Sequence, residues 1–195
     1  MVNQVMIKYL LISLLAINLA YADDLKLVSA ARKQVGVTKQ YDPNYSKLDY
    51  PNGDVDRSKG VCTDVVIRAL RDAHQLDLQK LVHEDMAKNF AVYPKKWGLK
   101  KTDANIDHRR VPNLQVYFSR YWLKIETSQA ADYQAGDVVT VMLPGNLPHI
   151  MLVSDKKQLL NNTSLVIHNI GRGAREESAL FTYPITGHYR LPNSI

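Results

Sequence analysis

Cys62 is the single cysteine of a 195-residue chain, and it opens Cys62-Thr63-Asp64-Val65-Val66 directly after Gly60-Val61. A glycine turn running into an apolar helix would put this thiol at a helix N-terminus. There the first backbone amides are unpaired and carry the positive end of the helix dipole. Such a site stabilises a thiolate, so the expectation is a thiol pKa lowered from about 8.5 by a unit or several. The same amides can bind the oxyanion of a tetrahedral intermediate. A lone thiol makes no internal disulfide, which leaves nucleophilic chemistry, or service as a small buried hydrophobe, as the roles open to Cys62.

His149 supplies a base for that nucleophile. It follows Pro148 and heads Ile150-Met151-Leu152-Val153, the pattern of a strand entered from a turn. If Asp155 to Ser164 connects two antiparallel strands, the midpoint places position 149 opposite His168 or Asn169, within one residue. Either side chain could hold the second ring nitrogen of His149 and so set its tautomer and orientation.

The elements that must position these groups follow from periodicity. Leu25, Val28, Ala31 and Val35 recur at helical spacing and stop at Gly36, which predicts a helix from Leu25 to Val35. Tyr41 to Lys59 is punctuated by Asp42-Pro43, Tyr50-Pro51 and Asn52-Gly53-Asp54 and reads as turns. A second helix is expected from Cys62 to His74, with Val65, Val66, Ala69, Leu70 and Ala73 as its apolar stripe. A third is expected from Asp77 to Phe90, and a short one from Val111-Pro112-Asn113-Leu114 through Phe118. Strand patterns then occupy Asp137 to Leu143, His149 to Ser154 and Leu165 to Ile170. Helices first and an antiparallel sheet afterwards define an α+β domain.

The N-terminus reads as an export signal over residues 1–22: Lys8, an apolar run from Tyr9 to Leu19, then Ala20-Tyr21-Ala22 as a small-x-small cleavage site before Asp23-Asp24. The apolar run is shorter than the roughly 20 residues a spanning helix needs, so no stable membrane insertion is expected once the signal is removed. Cleavage after Ala22 leaves 173 residues, 23–195, enough for one domain with its own core, and losing Lys8 lowers the formal charge from +6 to +5. No repeat, low-complexity tract or linker divides that unit. A periplasmic or secreted location follows, and it argues against nucleic acid as a partner. Lys95-Lys96 and Lys100-Lys101 could face an anionic wall or membrane surface, or form a solvated face.

The order Cys, His, then a polar residue on the next strand resembles the NlpC/P60 papain-like hydrolases. Longer motifs are similar to the bacterial DUF1287 family within that superfamily: Gly60-Val61-Cys62-Thr63-Asp64-Val65, Asn105 to Leu114, Gly136-Asp137-Val138-Val139, Pro148-His149-Ile150, His168-Asn169-Ile170-Gly171 and Gly187-His188-Tyr189-Arg190. The resemblance covers nearly the whole mature chain. It implies a papain-like fold and a cysteine peptidase or amidase with Cys62 as nucleophile, His149 as general base and His168 as orienting residue. It further implies a peptidoglycan or other peptide or amide substrate, no cofactor, no metal, and a monomer. Tyr41 resembles the tyrosine that shapes the oxyanion site in NlpC/P60 enzymes, with Tyr45 and Tyr50 as competitors. The chain departs from the usual Asp-Cys-Ser-Gly signature, since Val61 precedes the cysteine and Thr63-Asp64 follows it.

Asp64, Asn169 and Arg109 complete the candidate site. In Asp107-His108-Arg109-Arg110, adjacent guanidinium forks could grip a substrate carboxylate, or pair with acids and pin a loop. His188 is expected to pack on a closing strand, and Trp97 and Trp122 to lie in the core. His83-Glu84-Asp85 groups three metal-ligand types without the His-Glu-x-x-His spacing that puts two imidazoles on one helix face. Two other functions fit the same fold: a non-catalytic cell-wall-binding module, and a cysteine-dependent acyltransferase.

Overall fold

The computed structural model describes residues 22–126 and 129–192, together with Lys8. All but the last residue and Lys8 of the expected signal therefore lie outside the described residues. The first helix, α1, covers residues 22–32 and gives way to turns over 33–37 with Gly36 at φ +80°. It ends three residues before the expected Val35. Gln34 and Val35 donate to carbonyls only three residues back, which tightens the last turn, and Val35 is exposed rather than part of the apolar stripe.

Two short strands, β1 (Gln40–Tyr41) and β2 (Lys59–Gly60), pair in parallel across the turn-rich loop. Then come α2 (Cys62–His74), α3 (Leu78–Lys88) and α4 (Val111–Tyr121), with Asp77 capping α3 through the amide of Gln79 and Pro112 in the first turn of α4. Six strands follow: β3 (Leu123–Lys124), β4 (Val138–Leu143), β5 (Leu147–Lys157), β6 (Ser164–His168), β7 (Arg175–Glu177) and β8 (Ile185–Arg190). They form one antiparallel sheet in the order β3-β8-β4-β5-β6-β7. The chain is thus an α+β fold, and among the described residues no helix is long and apolar enough to cross a membrane.

Strand alternation divides the core between the two sheet faces. Val138, Ile150, Leu152 and Ile167 turn toward the helices and pack with Val28, Val65, Leu70, Leu114 and Phe118. Val139, Val141, Met151, Val153 and Val166 point the other way, under Tyr133, Ala179 and Leu180. Both faces are covered, so β4, β5 and β6 need unbroken apolar runs rather than a polar face.

The irregular loop ahead of α2 is tied down by side chains, with Asn105, Asp77 and Gln79 holding the amides of Leu48, Asn52 and Gly53 and Arg68 making the largest set of contacts. Arg68 is fully buried in α2. It binds Asp54 through Nε and Nη2 at 2.9–3.0 Å, reaches the carbonyls of Val55, Asp56 and Lys59, and donates from Nη1 to the hydroxyl of Thr38. Breaking such a pair strands several polar groups at once. Arg68→Ala should therefore lower unfolding stability by about 3–5 kcal/mol in urea titrations, whereas exposed Lys47→Ala should change it by no more than about 0.5 kcal/mol.

Candidate active site

The backbone before Cys62 is held by a compact set of contacts. Gly60 sits at φ +154°, and a Cβ there would lie 2.8 Å from Asp64 Oδ2, so the position requires glycine. Asp64 Oδ2 accepts the N–H of Val61 at 2.7 Å, closing the first turn of α2. Its carboxylate also takes both prongs of Arg109, Nε to Oδ1 and Nη2 to Oδ2, each at 2.9 Å, with both residues buried. From the sheet side, Asn169 Nδ2 donates to the carbonyl of Gly60 at 3.0 Å. Helix start, Arg109 loop and β6 end therefore meet at one turn.

Cys62 is the first residue of α2 and only 6% exposed. The backbone amides of Ile150, Thr63 and Cys62 favour its thiolate. Packing with Ile150 in the helix-side core locates the thiol in the molecule. β6 pairs with β5 at Leu152↔Ile167 and beyond, so the β5 edge near 150 lies past the end of that ladder, where the sulfur meets it. The expected depression of the thiol pKa is not found. Burial pushes Cys62 up to about 11, and the three amide contacts recover only part of that penalty.

His149 precedes Ile150 and is buried. Strand alternation turns Ile150 to the helices, where the sulfur lies, and the His149 ring to the opposite face of the sheet with Val141 and Met151, so the structure does not bring the expected nucleophile and base together. No hydrogen bond joins them among the described residues. The ring is engaged elsewhere: His149 Nε2 lies 2.8 Å from His168 Nδ1, and His168 Nε2 lies 3.0 Å from Glu177 Oε1. Continuing the register by one residue puts His168 opposite position 151, so the contact with His149 is a diagonal one. Asn169 makes no contact with the ring, being committed to Gly60 and to the N–H of Gly171.

The chain of contacts fixes the protons. A carboxylate only accepts, so His168 donates to Glu177 from Nε2; the neutral His168 then accepts at Nδ1, and His149 must donate from Nε2. That leaves Nδ1 of His149 as a bare lone pair. Burial keeps the ring neutral, lowering His149 to about 3, with the neighbouring His168 adding to the effect. Burial also lowers His168, opposed by Glu177.

Beside the thiol opens a cavity of about 250 Å³ lined by Tyr41, Cys62, Trp97, Arg109, Arg110 and Pro148, among others. Of the three tyrosines, Tyr41 is the one that lines it. Tyr45 is bonded to Asp103 and Asn105, and Tyr50 stands edge-on to His83. Trp97 is not a core residue: it lies half-buried at this cavity with the Arg110 guanidinium 4.1 Å above its ring, while Trp122 packs on Phe118 in the core. The arginine in direct contact with Asp64 is Arg109, which leaves Arg110 as the other fork. His83, Glu84 and Asp85 diverge to Asp107, Lys80 and the Tyr93–Arg120–Tyr121 group respectively. His188 lies on β8, as expected of a closing strand, stacked on Tyr133 and bonded to Asp137 at 2.6 Å.

Residues 28–191 match the family described as "Domain of unknown function (DUF1287)". The chain belongs to the DUF1287 family. It is also 58% identical over 174 residues to "Uncharacterized protein YijF" of Escherichia coli (strain K12), which covers 89% of this chain and 81% of that protein. The DUF1287 match contains Cys62, His149, His168, Asn169, Asp64 and Arg109, so the whole constellation lies inside the shared domain.

Two parts of the DUF1287 site were not read from sequence. Glu177 is one: it lies on a three-residue strand whose pairing His168↔Arg175, Val166↔Glu177 sets its reach, and no local pattern announces so short an edge strand. The Trp97–Arg110 contact is the other; a tryptophan thirteen positions before an arginine in a loop carries no periodic signal.

Neutral buried imidazoles link stability of this DUF1287 chain to pH with a definite sign. His149 at about 3 and His108, lowered by burial to about 4, bind their protons in the unfolded chain near 6.5 and in the folded one only far below. Their contribution is complete above about pH 6.5 and is lost as pH falls toward 4. Urea unfolding at pH 7, 5.5 and 4 should show a progressive loss, with His149 alone responsible for on the order of 3 kcal/mol by pH 4 and His149→Gln giving a correspondingly shallower slope.

Proposed function

We propose that this protein is an exported cysteine hydrolase of the papain-like NlpC/P60 type, cleaving an amide bond in peptidoglycan stem peptides through Cys62. The observation that carries the reading is Cys62 at the first turn of α2, opening on a cavity lined by Tyr41, Trp97 and Arg110.

The chemistry starts from a neutral thiol, since burial raises it. The Cys62 proton passes to water in the cavity as the sulfur attacks the substrate carbonyl, and the S–C bond forms as the carbonyl π pair moves onto oxygen. The oxyanion is met by amides at the start of α2 and by the Tyr41 hydroxyl. The departing amine takes a proton from water as the tetrahedral intermediate collapses, and a second water then hydrolyses the thioester and regenerates the thiol. The export signal of residues 1–22 and the NlpC/P60 resemblance support the wall as the substrate's location.

Purified wall fragments incubated with protein and read by mass spectrometry test the proposal. Products carrying one added water should form with the native protein and be absent with Cys62→Ala. A product joined instead to an amine or hydroxyl acceptor would reassign the second half-reaction to acyl transfer, and identical fragments with both proteins would contradict the proposal. Because the His149 ring lies on the sheet face away from the thiol, His149→Ala should lower kcat/KM by less than about tenfold, whereas a general base in the cavity would cost far more.

A further inference from the structure

The cavity beside Cys62 has a charge that the fold does not use. Three cations line it, Lys96, Arg109 and Arg110, and no acid does. Arg109 is spent: its fork holds Asp64 and its Nη1 reaches the carbonyl of Asn44. Arg110 is different. Its guanidinium carbon lies 4.1 Å from the centre of the Trp97 ring, it makes no ion pair among the described residues, and Nη1 is buried without a hydrogen-bond partner. Asp107 and Asp103 are the acids whose fields reach it. Asp107 commits Oδ2 to His83 and to the N–H of Asp103 while its Oδ1 is buried without a hydrogen-bond partner and does not pair with Arg110, and Asp103 is bonded to Tyr45 and Asn105. A guanidinium with an unmet donor, half withdrawn from water, is an expensive arrangement unless an anion joins it in use. Burial alone already lowers its pKa.

We propose that Arg110, oriented by Trp97, is the specificity-determining residue of the site: it binds a free carboxylate on the substrate next to the amide bond that Cys62 attacks. The assignment rests on Cys62 being the nucleophile and adds the substrate class, an acyl donor or peptide bearing a carboxylate close to the scissile carbonyl. Planarity matters here. A guanidinium presents its edge donors in one plane, which suits the two oxygens of a carboxylate and not a compact ammonium or a neutral side chain. Lys96 adds charge at the rim without geometry.

Alkylation of Cys62 separates this from the hydrolase reading. Iodoacetate and iodoacetamide react with the same thiol and differ only in whether they carry a carboxylate. The ratio of their rates, normalised to N-acetylcysteine, should exceed that small thiol's ratio about tenfold in the native protein and drop about fivefold or more in Arg110→Gln. Arg110→Lys should fall between, and sodium chloride at 1 M should reduce the native ratio. A native ratio equal to that of N-acetylcysteine, or one unchanged by Arg110→Gln, overturns the assignment while leaving Cys62 reactivity itself measured by iodoacetamide alone. Should Cys62 react with neither reagent, the nucleophile reading fails. Carboxylate binding is then decided in Cys62→Ala by Trp97 fluorescence titrated with N-acetylglutamate. A saturable change absent from Arg110→Gln supports the assignment, and no change contradicts it.

Discussion

The carboxylate of Asp64 is the point on which the site is assembled. It caps the amide of Val61, takes both prongs of Arg109, and crowds Gly60 so closely that no side chain fits there. Those contacts set the angle at which the chain enters α2 and bring the loop bearing Arg109 and Arg110 against it. Removing the carboxylate would leave Arg109 buried and unpaired, a far larger penalty than the net worth of the pair. The start of α2 is therefore rigid for electrostatic reasons, and Cys62 inherits that rigidity.

Burial then decides the protonation of the reacting groups. A helix N-terminus favours a thiolate, but Cys62 sits among Ile150, Val65 and Val66, and desolvation outweighs the amides that face its sulfur. The same penalty holds His149 neutral. On the far face of the sheet Glu177 orders His168 and His168 orders His149, apart from the thiol. Beside the thiol, the uncompensated Arg110 would contribute its field to a carboxylate-bearing substrate.

Much of this was legible in the sequence where the signal is local and periodic. α2 begins and ends at the expected Cys62 and His74, because a glycine turn, an apolar stripe and a polar C-terminus agree. β4, β5 and β6 were visible as apolar runs, whereas the register carries position 149 opposite 170, one residue beyond the expected 168 or 169, and His168 reaches His149 only diagonally. The edge strands β3 and β7 were not, being two and three residues long. Thiol acidity was misjudged because burial depth is a property of packing, which no helix-entry motif encodes. The roles of Arg109 and Arg110 divide for the same reason: adjacent in sequence, they differ only in which one the tertiary fold places against Asp64.

Long-range ¹⁵N–¹H correlation spectra of the histidine rings address the centre of this account directly. His149 should appear as the neutral tautomer protonated on Nε2, with an unprotonated Nδ1, and should hold that state unchanged from pH 8 down to about pH 4. A ring protonated on Nδ1, or one that titrates near 6.5 as a solvated imidazole does, would contradict it.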